Sequence, residues 1–371
     1  MLIDITTALP PYKVSRRKAA EELKKRMTGR PAAARMIDMA AMHSGIDSRY
    51  VVVPDAEDNP SKVFYSKGTP PPGTKVRMQE YEKWSKDLTT KAIGDLLEKT
   101  NFKPSDISRL ITVSCTGFFA PGLDYHIMKT FGLPQCTQRT NIGFMGCAAS
   151  VIGFTSVLEA LSSSKNAPPP NTLLVSVELC SLHLQTEPTR DNILSNVIFA
   201  DGCAAALFTG GAASHEGAAS HEGAAPRLQL LSTRSIMFDN SDDIMGWKIG
   251  DLGFEMILSS DLPNIILQQA APALLKIIDE SGFSKDEIRH WALHPGGRAI
   301  LDAMQSGLQL SESDMKASRT VLKNYGNMSS ASILFVMKDL LENGGIKNGD
   351  ILCAAAFGPG LTMETAFFKG V

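Results

Sequence analysis

Short apolar runs and longer apolar runs alternate along most of this chain. Runs rich in Leu, Ile, Val and Ala that end in small residues predict buried strands at 109–117, 171–180 and 203–210. A longer apolar segment at 147–164 predicts a buried helix, and charged segments at 15–27 and 81–102 predict helices with a solvent face. Polar residues with a Pro/Gly cluster at 54–78 predict a surface excursion. The alternation predicts an α/β fold.

A second set of elements repeats this order in the C-terminal part. Strands are predicted at 290–297 and 350–360, with a helix closed by glycine at 329–345. ITVSCTG can be laid over HWALHPG, and AASVIGFTSVLEAL over SASILFVMKDLLEN. The overlay predicts an internal duplication, in which Cys115 falls on His294 and Cys147 falls close to Asn327 and Met328. Pseudo-symmetry would bring these positions together in the centre.

The junction between the two sets is a low-complexity segment. Residues 210–226 contain GAASHE twice in succession, with two His and two Glu that could in principle meet a metal. Because small residues offer no apolar face to bury, an exposed loop without chemistry is the favoured interpretation. The predicted halves are therefore 1–210, with the candidate nucleophile, and 227–371, with the His and Asn candidates, joined by a loop at 211–226.

Composition narrows the class of protein. The 371 residues carry a formal net charge of −2, without the basic excess of nucleic-acid binders. Six cysteines occur without CxxC pairs, which argues against a zinc framework and favours reduced thiols in the cytoplasm. No apolar run reaches membrane-spanning length, and the N-terminal segment lacks the apolar core of a signal peptide. We expect a cytoplasmic protein without a membrane span.

Cys147 in GFMGCAAS is the first candidate for chemistry. It lies where a long apolar helix is predicted to begin, and unpaired N–H groups there would lower the pKa of a thiol from about 8.5. Its small neighbours leave room for a substrate, and a nearby imidazole would complete the activation. The alternative is a buried, inert cysteine. We apply that interpretation to Cys136 and Cys353, and it stays open for Cys203.

His294 and Asn327 are the other candidates. His294 lies between an apolar strand and a Gly-Gly turn, a placement that suits an active site and a core histidine about equally. Asn327 precedes an apolar helix, so by itself it is better interpreted as an N-cap. The order and spacing of the motifs decide between these interpretations.

Four motifs in order, GFMGCAAS, HPGGRAIL, YGNMSSAS and AFGPGLTMET, resemble the chalcone synthase family, the type III polyketide synthases. The resemblance covers nearly the whole chain. SCTGFFAPGLD, VELCSLHLQ, FADGCAAALF and DDIMGWKIGDLGFEMILSSDLP resemble its bacterial and fungal branch, which makes alkylresorcinols and alkylpyrones. The family implies a thiolase fold, two similar halves in αβαβα layers, and a homodimer.

The resemblance also implies site residues. The family's catalytic triad falls on Cys147, His294 and Asn327, since the family asparagine immediately precedes Met-Ser-Ser and Asn324 does not. A gating phenylalanine falls on Phe199. Family pocket positions hold Met256 in place of a phenylalanine, Trp247 in place of a small residue, Cys115, Cys180 and His183 in place of threonines, and a retained Ser329.

The implied activity is iterative decarboxylative condensation of malonyl-CoA onto an acyl-CoA starter, followed by cyclisation to a resorcinol, pyrone or related product, by an acyltransferase. No cofactor beyond the CoA thioesters is implied. The family's CoA-phosphate positions fall on or near Met36, Met39 and His43, so Arg35, Arg49 or a shifted register would have to substitute, and a carrier-protein-bound starter stays open. Two alternatives are a ketoacyl synthase III-like single condensation that uses acyl carrier protein and an inactive scaffolding homologue.

Overall fold

The computed structural model describes residues 1–27, 31–53, 64, 70–163, 169–210 and 227–371. The GAASHE repeat and the loop predicted at 211–226 therefore lie outside the described residues. Within those ranges the strands are β1 Leu2–Ala8, β2 Tyr12–Ser15, β3 Ser48–Val51, β4 Arg109–Ser114, β5 Gln138–Gly143, β6 Thr172–Leu179, β7 Asp201–Phe208, β8 Leu228–Met237, β9 Met245–Gly250, β10 Gly253–Leu258, β11 Ile288–Leu293, β12 Ile351–Gly358 and β13 Thr362–Gly370.

The helices alternate with these strands, as the hydrophobic pattern predicts. They are α1 Arg16–Arg26, α2 Pro31–His43, α3 Thr74–Thr100, α4 Leu123–Phe131, α5 Ala149–Ser163, α6 Arg190–Ile198, α7 Leu262–Ile265, α8 Ala271–Glu280, α9 Arg298–Leu308, α10 Glu312–Tyr325 and α11 Ser332–Asn343. One boundary corrects the sequence analysis. α3 begins at Thr74, inside the segment predicted as a polar excursion, because Gly73 ends the proline run and serves as the N-cap.

Nine strands form one sheet in the order β11-β12-β13-β8-β1-β7-β6-β4-β5. The strands of residues 1–210 lie on one side of this order and those of 227–371 on the other, and β1 meets β8 at the single pair Leu2–Leu228. β9 and β10 pair separately as a hairpin. This arrangement agrees with the predicted duplication. The domain boundaries stay a prediction.

The layers agree with the expected thiolase-type architecture. α5 and α11 contact strands from both sides of the sheet order, so they form a central layer, while α3 packs on β1, β6 and β7 and α10 packs on β11. The first half of α11 is buried, including the polar Ser332, whereas the charged Lys338 and Glu342 lie towards solvent near its end. The prediction of an α/β thiolase fold is confirmed.

The two central helices begin in matching ways. A 3-10 turn at Gly146–Ala148 leads into α5, and a 3-10 turn at Ser329–Ala331 leads into α11. The two turns pack against each other, and the Ser150 hydroxyl donates to the Ser330 carbonyl oxygen at 2.7 Å. The place where the two helix starts meet is therefore the centre of the molecule.

Three cysteines outside the predicted site differ in their exposure to solvent. Cys203 in β7 and Cys353 in β12 are completely buried, as inert core cysteines would be. Cys136 is exposed, which corrects its interpretation as a buried cysteine. It follows α4 on the loop to the edge strand β5, where a short polar connection leaves it in solvent.

Candidate active site

Three separate elements bring Cys147, His294 and Asn327 to one cavity of about 310 Å³. Cys147 lies in the 3-10 turn before α5, His294 directly follows β11, and Asn327 lies between α10 and the turn before α11. All three side chains are at least 93% buried. The overlay of the two halves predicted this meeting point. The catalytic roles of the three residues stay a prediction.

The turn that carries Cys147 depends on glycine. Gly146 has φ +60°, and a Cβ there would approach the Pro359 Cδ to 2.4 Å. Pro359 belongs to the AFGPGLT motif, so this C-terminal segment and the GFMGCAAS motif fit together by direct backbone contact. The close approach fixes the thiol at the cavity wall.

The thiol of Cys147 lies among polar groups but is shielded from water. Its Sγ is 3.6 Å from the Ser329 Oγ and 4.0 Å from the Asn327 Oδ1. Burial raises the pKa of the Cys147 thiol to about 12, although the hydrogen bond with Ser329 acts in the opposite direction. The expectation that the helix start lowers this pKa was wrong. α5 itself begins at Ala149, and the loss of solvation outweighs the helix-end field.

His294 has no hydrogen-bond partner among the described residues on either ring nitrogen, although its ring is buried. Burial lowers the pKa of His294 to about 3, so the imidazole is neutral at pH 7 and offers one N–H donor and one acceptor. Unpaired buried polar atoms are rare in proteins because each one loses its water. Both ring nitrogens are therefore free to serve a ligand in the cavity.

The amide of Asn327 is held by the backbone on both sides. Its Oδ1 accepts from the Ser329 N–H at 2.8 Å, and its Nδ2 donates to the Gly296 carbonyl oxygen at 3.1 Å. One Nδ2–H is left over for a ligand. The main chain of Asn327 forms a parallel bridge with Phe199, so the gate residue and the amide are positioned together. Asn327 therefore makes an N-cap-type bond to Ser329 and still presents an N–H to the cavity.

Phe199 and Met256 separate three cavities. Both line the cavity of about 310 Å³ and also two smaller ones of about 30 Å³ and 40 Å³. The smallest lies directly beside Cys147, and its other lining residues include four of the predicted pocket positions, Cys115, Cys180, Trp247 and Ser329. The structure thus brings these four together with the thiol.

Trp247 closes the small cavity. It lies opposite Met256 across the β9–β10 pair, and its Nε1–H donates to the Cys115 carbonyl oxygen at 2.8 Å. The indole is therefore held by this hydrogen bond and by edge contacts with the rings of His183 and Phe254, at centroid distances of 5.6 and 5.9 Å. An indole held in this way leaves little space beside the thiol.

His183 is the one predicted pocket residue that does not line a cavity with Cys147. It lines the cavity of about 40 Å³, where its Nε2 pairs with the Thr116 carbonyl oxygen at 2.7 Å and its Nδ1 accepts from the Phe254 N–H at 2.9 Å. Burial lowers the pKa of His183 to about 3, and the ring stacks on Phe254 at 4.1 Å. These contacts make it a brace for β10.

The sequence analysis assigned no role to Glu178, whose buried carboxyl group lies behind the cavity wall that carries Cys147. It accepts from the Cys115 N–H at 3.0 Å and the Thr116 Oγ at 2.8 Å, and the Ser330 hydroxyl also donates to it. Burial raises the pKa of Glu178 to about 7, against these hydrogen bonds. The signal in the sequence was a carboxylic acid within a run predicted to be a buried strand, β6.

The residues considered for binding the CoA phosphates lie in different environments. His43 lines the cavity, whereas Met36 and Met39 are exposed on α2. The Arg49 guanidinium is turned inward and donates to the backbone carbonyl oxygens of Asn196 and Phe199, so it does not substitute for the cations of the family. Arg35 is exposed and does not line the cavity.

The described residues show no cluster of His, Cys, Asp and Glu that could hold a metal ion. In the same part of the chain, every helix is too short or too polar to cross a membrane.

Comparisons with known proteins agree with this geometry. Residues 229–371 match the family described as chalcone and stilbene synthases, C-terminal domain, and residues 42–223 match the FAE1/type III polyketide synthase-like proteins. The chain is 30% identical to the alpha-pyrone synthesis polyketide synthase-like Pks18 of Mycobacterium tuberculosis (strain H37Rv), over 76% of this chain and 69% of that protein.

Two further relatives span nearly the whole chain. The 1,3,6,8-tetrahydroxynaphthalene synthase of Streptomyces coelicolor is 28% identical over 97% of this chain and 89% of its own. The crystal structure of PKS-I from the brown alga Ectocarpus siliculosus superposes with a TM-score of 0.90 at 28% identity and covers 100% of this chain and 98% of that one.

Proposed function

Because the chain belongs to the chalcone and stilbene synthase family of type III polyketide synthases, we propose that it condenses malonyl-CoA repeatedly onto an acyl-CoA starter held on Cys147. The observation that carries this proposal is the shared cavity. A thiol, an imidazole with both nitrogens unpaired and an amide with a spare N–H face the same space of about 310 Å³ from three elements.

Loading begins with proton transfer from the thiol to His294. Charging either group alone in this buried site is costly, but moving the proton between them leaves the pair neutral overall. The Cys147 sulfur then attacks the thioester carbonyl carbon of the starter. The C–S bond to CoA breaks, and the departing CoA thiolate takes the proton back from the imidazolium. The starter is left as a thioester on Cys147.

Extension uses the donors of the other half. Malonyl-CoA binds with its thioester oxygen towards the N–H of His294 and the spare Nδ2–H of Asn327. These donors stabilise the enolate that forms as carbon dioxide leaves, which is the logic of an oxyanion hole. The enolate carbon attacks the acyl-Cys147 carbonyl and displaces the thiolate. Decarboxylation supplies the driving force, so we propose no metal or redox cofactor.

The alternative function, a ketoacyl synthase that performs a single condensation, is less well supported, because both matched families include chalcone or type III polyketide synthases. An inactive scaffold would not need a buried imidazole without partners. The ring closure, to a resorcinol, a pyrone or a related product, depends on the shape of the cavity beside Trp247. An acyl carrier protein as starter donor stays an alternative to free acyl-CoA.

We propose a homodimer located in the cytoplasm. β5 is an edge strand of the sheet, and the exposed Phe118 and Met145 lie at its end. Gly143 in that strand has its Cα face against Phe118, where a Cβ would approach the ring to 2.8 Å. An unpaired edge flanked by apolar side chains supports pairing with a second copy.

The test measures separately the two roles proposed for the triad, loading of the starter and stabilisation of the enolate. In Cys147→Ala we expect no polyketide but measurable release of carbon dioxide and acetyl-CoA from labelled malonyl-CoA, because the enolate donors remain. In Asn327→Ala we expect decarboxylation to fall by about 100- to 1,000-fold, since one oxyanion donor is lost. His294→Ala should damage both reactions.

Asn324→Ala is the matched control, because Asn324 lies on the exposed surface of α10 near the same motif. It should leave both reactions unchanged. If Cys147→Ala lost decarboxylation as completely as Asn327→Ala, with both variants folded, the division of roles would be wrong.

A further inference from the structure

The cavity that contains Cys147 has several basic side chains in its wall. Its lining includes Arg190, Arg298, His43 and His294, and no Asp or Glu is among the described residues that line it. The rest of the lining is largely apolar. Such a cavity suits a long, mostly neutral ligand that ends in negatively charged groups.

Arg298 is the cation of this set without a carboxylate partner in the described chain. It is exposed at the first position of α9, and its guanidinium contacts the His43 Nδ1 at 3.4 Å. Because arginine has only donors, the His43 Nδ1 must be the acceptor in this contact. His43 thus orients the guanidinium and does not neutralise it.

The charge of Arg190 has a carboxylate partner, and its Nη1 is engaged in two contacts. It pairs with Asp191 at 3.4 Å and donates to the Leu258 carbonyl oxygen at 3.1 Å. It therefore braces β10 against α6. Of the two arginines in the cavity wall, Arg298 is therefore the one whose charge is available to a ligand.

The start of α9 adds to the positive field around Arg298. Its N-cap is Gly297, which has no side chain to cap the helix, and no acid occurs in the first turn. Gly296, Gly297 and Ala299 line the same cavity as Arg298. Unpaired N–H groups at a helix start attract phosphates, and here they lie beside an arginine and in the cavity of the unpartnered His294 ring.

The helix α2, which ends at His43, has no cation at two positions where the family resemblance implies one. α2 presents Met36 and Met39 to solvent, with exposures of 41% and 52%, where the family resemblance implies cations. Met side chains can pack on a ligand but cannot pair with a phosphate. Among the described lining residues, the arginine without a carboxylate partner lies at the start of α9.

We propose that Arg298, oriented by His43, is the anchor for the phosphates of the phosphopantetheine thioester that enters this cavity. This inference rests on the proposed function, because it concerns the substrates of the same reaction. The ligand chemistry is shared by free CoA, with its diphosphate and 3′-phosphate, and by a carrier protein, with a single phosphodiester. Malonyl-CoA, malonyl-4′-phosphopantetheine and malonyl-N-acetylcysteamine separate these sources.

The experiment measures malonyl decarboxylation by the wild type and by Arg298→Gln with each of the three thioesters. We expect Arg298→Gln to lower kcat/KM for malonyl-CoA by about tenfold or more, through KM, since a charge-assisted bond to bound substrate is lost. The effect should shrink as salt is raised, because Arg298 is exposed. kcat/KM for malonyl-N-acetylcysteamine, which has no phosphate, should not change.

The result with malonyl-4′-phosphopantetheine shows which phosphate of the substrate Arg298 binds. A loss with malonyl-CoA but not with malonyl-4′-phosphopantetheine supports anchoring of the nucleotide phosphates and hence free CoA. A similar loss with both supports anchoring of the phosphate that a carrier protein also has. His43→Ala should act in the same direction as Arg298→Gln, and more weakly, because it only frees the guanidinium to move.

Arg35→Gln is the matched control, since it removes an exposed arginine from the rim helix α2 without touching the cavity lining. It should leave all three substrates unaffected. The inference is overturned if Arg298→Gln is indistinguishable from Arg35→Gln, or if it slows all three thioesters equally. If the wild type consumes none of the three thioesters, it is the proposed function that fails.

Discussion

At the scale of single residues, the proposed chemistry depends on two groups that burial keeps neutral. Burial raises the pKa of Cys147 to about 12 and lowers the pKa of His294 to about 3. Each shift disfavours a lone charge, so neither residue is reactive by itself at neutral pH. Transfer of one proton from sulfur to nitrogen produces two opposite charges that stabilise each other. The imidazole is therefore the natural acceptor for the thiol proton.

We predict that alkylation of Cys147 by iodoacetamide at pH 7 requires His294. In His294→Ala burial still dominates the pKa of the thiol, so the thiolate fraction is minute, and the rate should rise about tenfold per pH unit up to pH 9. The wild type should react much faster at pH 7, since the imidazole can hold the proton. Peptide mass spectrometry over a pH series measures both rates.

Cys136 provides an internal control in the same samples, because it is exposed and far from His294 in sequence and fold. Its alkylation rate should be the same in both proteins. Equal rates at Cys147 in the two proteins at pH 7 would show that the imidazole does not activate the thiol.

At the scale of elements, the β9–β10 hairpin forms one wall of the space proposed for the growing chain. Trp247 and Met256 are opposite each other in this hairpin, and together with Phe199 they bound the cavity of about 30 Å³ beside the thiol. His183 and Arg190 brace β10 through the Phe254 N–H and the Leu258 carbonyl oxygen. The wall therefore yields at the flexible Met256 more easily than at the fixed indole.

We predict that Trp247→Gly shifts the products towards longer starters or more extensions. Removal of the indole enlarges the space between the cavities of about 30 Å³ and 40 Å³, because Trp247 lines both of them. A series of acyl-CoAs of graded length with malonyl-CoA, analysed by mass spectrometry, measures the product distribution.

Ile249→Gly is the control for the loss of a strand side chain, because Ile249 lies on the same strand with 63% exposure. It should keep the wild-type distribution. An unchanged distribution in folded Trp247→Gly would mean that the indole does not limit the chain.

At the scale of the whole molecule, the site exists because two halves meet at their central helices. The Ser150 hydroxyl from α5 bonds to the Ser330 carbonyl oxygen, and Ser330 bonds in turn to Ser176 and Glu178 of β6. This polar seam crosses the middle of the protein directly behind Cys147. It fixes the position of the thiol relative to Asn327 on the other half.

We predict that deletion of one GAASHE copy leaves the melting temperature and the turnover nearly unchanged. The reason comes from the sequence, since Gly, Ala and Ser at 210–226 offer little apolar surface to bury, and the repeat lies outside the described residues. β7 ends at Phe208 and β8 begins at Leu228, so the strands that the segment connects keep their full length. Thermal unfolding and steady-state kinetics provide the check, and a large loss in either would contradict the prediction.

By itself, the sequence determined the order of elements and the identity of the motifs. The runs at 109–117, 171–180, 203–210 and 350–360 became β4, β6, β7 and β12, because fully buried strands need nearly continuous apolar residues. The small-residue starts of α5 and α11 were readable for a similar reason, since two helices can meet closely at a centre only where side chains are small. The duplication followed from the same local patterns.

Only the tertiary structure decided the electrostatics and the walls of the site. The pKa of Cys147 depends on how completely distant segments exclude water, which no local pattern reports, and the expected lowering was therefore wrong. His183 and Arg49 turned inward to bond backbone groups, while Arg298, unremarkable in the sequence, stands at the cavity without an acid. These outcomes depend on contacts between residues far apart in the chain, and such contacts exist only once the two halves have packed.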